Sequence, residues 1–274
     1  MSFIDYLKLL RPFNCILGSL AVWIGYTIAV HALLIPTISV LLAMLVVFLI
    51  CGAGQVINDF FDVELDRKLN SEKPLPSGKI SLQNAFSYSI GLFVIGNILA
   101  FFLGFTQFLI AVVFSVLLIL YAWKISKNYK YIGNWVVALG TAFTLIYGAS
   151  LANNYVLVIY FALSALFANL SRELIKDLED VEKDQGFKKT LPMLLPKKEV
   201  KIYIGFFYFV SAILAFAVYV LFSLNFYFLI LLGITILIFI LSLKETVHEN
   251  FKLAQRYSKN GMAIALLAFL VSVL

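Results

Sequence analysis

Charge is what this chain has least of. Only 13% of its 274 residues are Asp, Glu, Lys or Arg, about half the fraction of an ordinary soluble domain. That scarcity sets water-soluble architectures aside and makes the bilayer the expected solvent. Cysteine is scarce too. Cys15 and Cys51 both lie in apolar segments, too few and too buried for a secreted disulfide framework and not spaced as a metal site, and they read as small packing residues. A cleavable signal peptide is not expected. In "MSFIDYLKLLRPFN" Asp5 interrupts the apolar stretch, and no small-residue cleavage site follows. No linker or low-complexity tract divides the chain, so one integral-membrane domain over residues 1–274 is expected.

What is present is apolar: 62% hydrophobic residues and a mean hydropathy of +0.98. A transmembrane helix needs about 20 such residues. Nine segments qualify in the sequence: Asn14–Val30, Pro36–Ile57, Ala85–Gly104, Gln107–Trp123, Ile132–Ser150, Tyr155–Ser171, Ile202–Phe222, Phe226–Leu243 and Gly261–Leu274. The expected fold is therefore an all-α, polytopic membrane protein with nine transmembrane helices around a central cavity. The connectors alternate. "HALLI", "FT", "LANN" and "SLN" carry no charge, and the remaining segments hold all 21 Lys and Arg and all 15 Asp and Glu. The net charge of +6 is thus a topology signal rather than a nucleic-acid footprint. By the positive-inside rule the charged face and the N-terminus are cytoplasmic. The connectors between segments two and three and between six and seven are the longest. Each has room for a short helix, and together they are expected to form a cytoplasmic cap.

Two acidic clusters stand at the ends of apolar segments. In "NDFFDVELD", Asp59, Asp62 and Asp66 fall at i, i+3 and i+7, and in "KDLEDVEKD", Asp177, Asp180 and Asp184 repeat that spacing. On a helix these positions share a face. The match extends one turn back, where Gln55 stands as Glu173 does. Both clusters follow even-numbered segments, which places them on one side of the membrane. Like charges at this spacing repel, carboxylates at a helix C-terminus oppose the macrodipole, and an Asp inside the membrane costs about 2.5–3.5 kcal/mol on insertion scales. A divalent cation reverses each penalty. Mg²⁺ favours a few carboxylates completed by water and phosphate oxygens, so a diphosphate gripped through Mg²⁺ by Asp59, Asp62, Asp66, Asp177, Asp180 and Asp184 is the expected chemistry.

"NDFFDVELD" and "DLEDVEKD" resemble the two signatures, N-D-x-x-D-x-x-x-D and D-x-x-D-x-x-x-D, of the UbiA-type intramembrane prenyltransferases. "RPFN", "KPLPSGKIS", "YAWK" and "KKTLP" agree with that resemblance. The overall texture is similar to the archaeal branch that makes digeranylgeranylglyceryl phosphate. What the resemblance implies is Mg²⁺-dependent transfer of a geranylgeranyl group from geranylgeranyl diphosphate to the free glycerol hydroxyl of geranylgeranylglyceryl phosphate. Its partners are a polyprenyl diphosphate donor, a lipid-phosphate acceptor and membrane lipids, with no nucleic acid. Asp59, Asp62, Asp180 and Asp184 are then the acids acting on the reaction. Asn58 orients a carboxylate or donates to phosphate. Lys124 and Arg67 are the cationic partners of the diphosphate, with Tyr121 as a hydrogen-bond donor to it. Because the acceptor carries its own phosphate, Arg11, Asn14, Lys73, Lys188 and Lys189 are candidates for a second anion site. Asn134 and Asn169, near segment ends, are expected to hydrogen-bond between helices. Some of the 26 Phe, 14 Tyr and 3 Trp line a tail cavity and face a cationic carbon.

Two other readings compete. A prenyltransferase with an aromatic acceptor would share both motifs. A membrane transporter would place its ionisable groups near the bilayer midplane, whereas here the acids gather at segment ends.

Overall fold

The computed structural model describes residues 3–69 and 72–274, and every regular element among them is helical. A short helix α1 (Phe3–Leu10) leads into α2 (Pro12–Ala29). Pro12 opens α2 at a position whose N–H would have no intrahelical partner. α3 (Ile38–Phe61) starts where the Thr37 hydroxyl accepts from the Val40 N–H at 3.4 Å, and α4 (Val63–Lys68) follows after the single residue Asp62. Ser81 caps α5 (Leu82–Leu103) by accepting from Asn84 N–H at 3.2 Å. α6 (Phe105–Leu120) then turns back at Gly104, whose φ of 143° suits glycine. It continues through a π-helical turn over Tyr121–Ile125 into α7 (Ser126–Asn128). α8 (Lys130–Ala149), α9 (Val156–Asp184), the short α10 (Leu191–Leu194), α11 (Lys197–Leu221), α12 (Phe226–Val247) and α13 (Phe251–Val271) complete the chain.

Eight of these helices are long and apolar enough to cross a membrane: α2, α3, α5, α6 with its continuation to Asn128, α8, α9, α11 and α12. They match the first eight sequence segments. α13 covers most of the ninth segment but begins earlier, with Lys252, Arg256 and Lys259 in its first turns, and is not one of the eight. α9 runs past the sixth apolar segment, which ends at Ser171, as one helix to Asp184, with the second acidic set on its last turns. The two long connectors carry one short helix each, α4 and α10.

The chain forms two compact units. One comprises the described residues of 1–23 and 36–128, the other residues 24–35 and 129–274. In the first unit α3 packs against α5, and hydroxyls tie the helices. Ser89 donates to the Ala53 carbonyl at 2.9 Å, Ser19 to the Met44 carbonyl at 2.8 Å, and the Asn97 amide to Ser115 at 2.9 Å. Lipid gives apolar side chains no reason to leave it, so packing of small residues and hydrogen bonds between helices carry the association.

In the second unit α9 lies among α8, α11 and α13. Ser164 donates to the Ser211 carbonyl at 2.9 Å and Ser211 donates back to the Ser164 carbonyl at 2.8 Å. One stretch further along, Ser171 donates to the Ile204 carbonyl at 3.0 Å. Phe161 stacks on Phe269 with ring centroids 4.3 Å apart, and the Gln255 amide donates to Glu179. These two contacts fix α9 and α13 as antiparallel. Lys201 of α11 donates at 2.9 Å to Glu249 in the α12–α13 connector and holds its carboxyl below the usual carboxylate range.

α2 meets α8 most closely at Gly25. A Cβ there would lie 2.0 Å from the Leu145 carbonyl oxygen, a backbone atom with no rotamer to change. Gly233 on α12 has nothing within 4 Å of its Cβ position. Gly25→Val is therefore expected to destabilise by about 1–3 kcal/mol or more, and Gly233→Ala to hold or gain up to about 1 kcal/mol. Thermal unfolding of the two purified variants in detergent checks this. Equal midpoints would contradict the close α2–α8 approach.

Candidate active site

The first acidic cluster is built where α3 gives way to α4. Asp59 lies in the last turn of α3, Asp62 is the junction residue with φ −88° and ψ 3°, and Asp66 lies on α4. Helical spacing survives the junction. The Asp62 N–H donates to the Asn58 carbonyl and the Asp66 N–H to the Asp62 carbonyl, each at 2.9 Å. All three acids are buried. Arg11 Nη2 meets Asp59 Oδ1 at 2.6 Å. Lys73 Nζ meets Asp66 Oδ2 at 2.8 Å and Asp59 Oδ1 at 3.4 Å. One ammonium thus bridges the first and last acid of the cluster. The Asn58 amide donates to Asp62 Oδ2 at 3.2 Å, which is the carboxylate-orienting role expected of it.

Arg11 reaches Asp59 from a strained backbone. It sits between α1 and α2 at φ 48°, a conformation that costs a non-glycine residue about 1–3 kcal/mol and persists where surrounding contacts hold it. Here the following Pro12 fixes the start of α2, and the Arg11–Asp59 bond fixes the side chain.

The second cluster lies on the last three turns of α9, in one continuous helix. Lys130, the first residue of α8, points its Nζ between Asp177 Oδ1 at 2.9 Å and Asp184 Oδ2 at 2.7 Å. The side chains are 5%, 0% and 7% exposed respectively, so this is a dry ion-pair triad. Asn134, one helical turn along α8, donates to the other Asp177 oxygen at 2.7 Å. The main chain adds a tie, with the Lys130 N–H donating to the Lys189 carbonyl at 3.1 Å. Asp180, the middle acid, pairs with the exposed Lys183 at 2.8 Å. Within each unit the same device recurs: aspartates two turns apart bridged by one lysine from outside their helix.

The remaining sequence candidates divide. Arg11, Lys73 and Asn58 stand with the first cluster. Lys188 and Lys189 follow α9, and the Lys188 N–H donates to the Asp184 carbonyl at 2.9 Å. Arg67 is exposed on α4 and Asn14 is exposed at the start of α2. Tyr121 and Lys124 occupy the π-helical turn, and Lys124 is exposed with no ion pair among the described residues. Asn134 and Asn169 do bond between helices, Asn169 donating to Thr141 on α8 at 2.6 Å. Sequence reasoning missed Lys130, which counted only as a topological charge. Its one legible mark is its place immediately before an apolar segment.

Carboxylate oxygens are the donors a hard divalent cation takes. Among the described residues no three acidic, thiol or imidazole groups converge into a ready-made cage. Mg²⁺ does not ask for one, since it keeps waters and takes phosphate oxygens alongside one or two carboxylates. The ammonium groups of Lys73 and Lys130 show that each outer pair of acids accepts a cation between its oxygens. The residues fit a divalent ion bound together with a phosphorylated ligand.

Comparison with known proteins agrees with this chemistry. The chain is 36% identical over 279 aligned residues to the digeranylgeranylglyceryl phosphate synthase of Thermococcus kodakarensis, covering 100% of this chain and 99% of that one. A solved structure of a digeranylgeranylglyceryl phosphate synthase superposes with a TM-score of 0.82 at 35% identity, over 98% of this chain and 97% of the other. A UbiA homologue from Archaeoglobus fulgidus, solved with geranyl diphosphate and Mg²⁺ bound, shares the fold with a TM-score of 0.71 at 19% identity, over 98% and 99% of the two chains. The profile of the UbiA prenyltransferase family matches residues 18–270. The chain belongs to the UbiA prenyltransferase family.

Proposed function

We infer that this membrane-embedded prenyltransferase moves a geranylgeranyl group from geranylgeranyl diphosphate to the free glycerol hydroxyl of geranylgeranylglyceryl phosphate, forming the second ether bond of archaeal membrane lipids. The observation that carries this reading is the pair of i, i+3, i+7 aspartate sets, buried except at Asp180, in a chain matched end to end by an archaeal digeranylgeranylglyceryl phosphate synthase. The full length, 1–274, acts as one functional domain, with α13 as a ninth crossing and the charged helix ends facing the cytoplasm.

Asp59, Asp62 and Asp66 in one unit, and Asp177, Asp180 and Asp184 in the other, are the residues that would hold Mg²⁺. When bound, the ion supplies positive charge against the leaving diphosphate. The chain's own cations work in the same direction: Arg11 and Lys73 at the first cluster lie within reach of an anion laid against Asp59 and Asp66. In the reaction the allylic C–O bond breaks, its electron pair leaves with the diphosphate, and the acceptor oxygen bonds to the freed carbon. The hydroxyl proton passes to a motif carboxylate or to the diphosphate. Lys124 and Tyr121, on the π-helical turn, and Arg67 remain the outer diphosphate contacts in this reading.

Lys130 has a different part. It neutralises Asp177 and Asp184 where water cannot, and so fixes the last turns of α9 against α8. Removing one partner of a buried ion pair leaves an uncompensated charge and costs about 3–5 kcal/mol.

Three outcomes follow. Purified protein in detergent with Mg²⁺ and geranylgeranyl diphosphate should turn over geranylgeranylglyceryl phosphate and leave 4-hydroxybenzoate unprenylated. Product from the aromatic acceptor alone would replace this reading with the quinone-type one. Asp59→Ala and Asp180→Ala should each lose at least about a hundredfold in kcat, Asp180→Ala with an unchanged thermal midpoint, and EDTA should abolish turnover until Mg²⁺ is restored. Wild-type rates in both variants would sink the metal–diphosphate model. Lys130→Met should lower the thermal midpoint sharply, and adding Asp177→Asn should recover part of the loss. Additive losses in that double mutant would show that the two residues are not coupled.

A further inference from the structure

The acceptor's phosphate needs a home, and the cations near the first cluster are engaged with Asp59 and Asp66. A separate group of cations lies in the second unit, between α9 and α13. Arg172 and Lys176 stand at i and i+4 on one face of α9. The antiparallel register fixed by Phe161–Phe269 and Glu179–Gln255 brings Lys259 of α13 level with them. Arg172 and Lys176 both repel the Lys259 ammonium, and all three act on the buried Glu173. Lys130 acts on Glu173 as well but is taken up by Asp177 and Asp184, which leaves three cations beside one buried carboxylate. Of the other acids nearby, Glu179 is held by Gln255, while Asp177 and Asp180 are paired with Lys130 and Lys183; counting Glu173 and Glu179 against the three cations leaves one positive charge over.

Arg172 is held in place rather than merely present. Its Nη1 donates to Glu173 at 2.7 Å and to Asn169 at 3.4 Å, and Asn169 is itself anchored on Thr141. With Nη1 engaged, Nη2 forms no hydrogen bond among the described residues and is the guanidinium nitrogen left for an oxyanion. Neither Lys176 nor Lys259 forms a close ion pair among the described residues. Lys176 also precedes Asp180 by four residues on α9, so an anion held here lies one helical turn from the middle acid of the second motif.

We propose that Arg172, Lys176 and Lys259 form a binding site for a lipid-borne phosphate, and that its occupant is the phosphate monoester of the prenyl acceptor. A monoester carries about −1.5 to −2 charge near neutral pH, which three cations attract more strongly than the single charge of a bilayer phosphodiester. The assignment rests on the reaction proposed above and names where its acceptor headgroup sits.

The test separates binding from turnover. Arg172 supports the buried Glu173, so Lys176→Gln and Lys259→Gln are the informative variants. Tryptophan-fluorescence titration with geranylgeranylglyceryl phosphate, on protein in nanodiscs of neutral phosphatidylcholine, should show Kd raised at least about tenfold in each variant. Geranylgeranylglycerol, which lacks the phosphate, should bind wild type and variants alike. In turnover, KM for the acceptor should rise by a similar factor while KM for geranylgeranyl diphosphate stays within about twofold. Unchanged Kd in both variants would overturn the site. So would a donor KM that rises as far as the acceptor's, since the cations then serve the diphosphate. So would a loss confined to binding of phosphatidylglycerol vesicles, which marks a bilayer contact. A wild type that binds the phosphorylated acceptor through these lysines without transferring to it would keep the site and reject the reaction.

Discussion

A buried carboxylate at the end of an apolar helix needs a neighbouring cation to offset its desolvation, and this chain supplies one twice with the same geometry. Lys73 lies between Asp59 and Asp66, and Lys130 between Asp177 and Asp184. Two helical turns separate the acids in each pair, and a single ammonium spans them from a neighbouring segment. Without it, three acids on one face would repel one another and oppose the helix dipole. With it, the helix end can be buried. Much of the surrounding structure serves that arrangement: the strained Arg11 backbone that brings a guanidinium to Asp59, the Asn58 and Asn134 amides that orient neighbouring oxygens, and the N–H of Lys130 tied to the Lys189 carbonyl. The acids are positioned by fixed charges before any ligand arrives, and pre-set electrostatics of this kind contribute most to transition-state stabilisation.

The two bridges differ in how dry they are. Lys73 is 39% exposed along its side chain, whereas Lys130 is 5% exposed. An exposed ammonium exchanges its partners at little cost, since water takes over its solvation. A buried one does not, because every lost bond leaves a desolvated charge. The first cluster is therefore the more adaptable of the two toward a cation-bearing ligand. The second is a rigid strut from which Asp180, outside the lysine bridge, projects toward the exposed side.

Much of this was legible from the residues. Eight apolar segments became helices at nearly the expected places because length and hydropathy dominate when the solvent is lipid. The i, i+3, i+7 spacing located both acidic faces because helical periodicity is local. What was not legible is tertiary. Nothing in "KNYKYIGN" distinguishes Lys130 from a topological charge, since its partners lie on a helix far along the chain. The helical stretch to Asp184 was legible from the acid spacing even though hydropathy falls after Ser171, and Glu173, Lys176, Asp180 and Lys183 are good helix neighbours at i, i+3 and i+4. The short break at Asp62 was hidden, since the hydrogen-bond ladder crosses it and the residue spacing is unaffected.

The same logic bears on why a chain so poor in charge spends three cations around Glu173. Positive-inside topology needs only an excess of Lys and Arg near helix ends, and scattered, solvated side chains would satisfy it. It does not need an arginine braced by Glu173 and Asn169, nor two lysines from different helices at the same level. Holding like charges together costs free energy in the absence of an anion, and a membrane interface of low dielectric raises that cost. Glu173 offsets only part of the charge of these three cations, and a ligand of opposite charge would offset the rest. A phosphorylated lipid, whose tail is already dissolved in the bilayer, delivers that charge at the depth where these side chains wait.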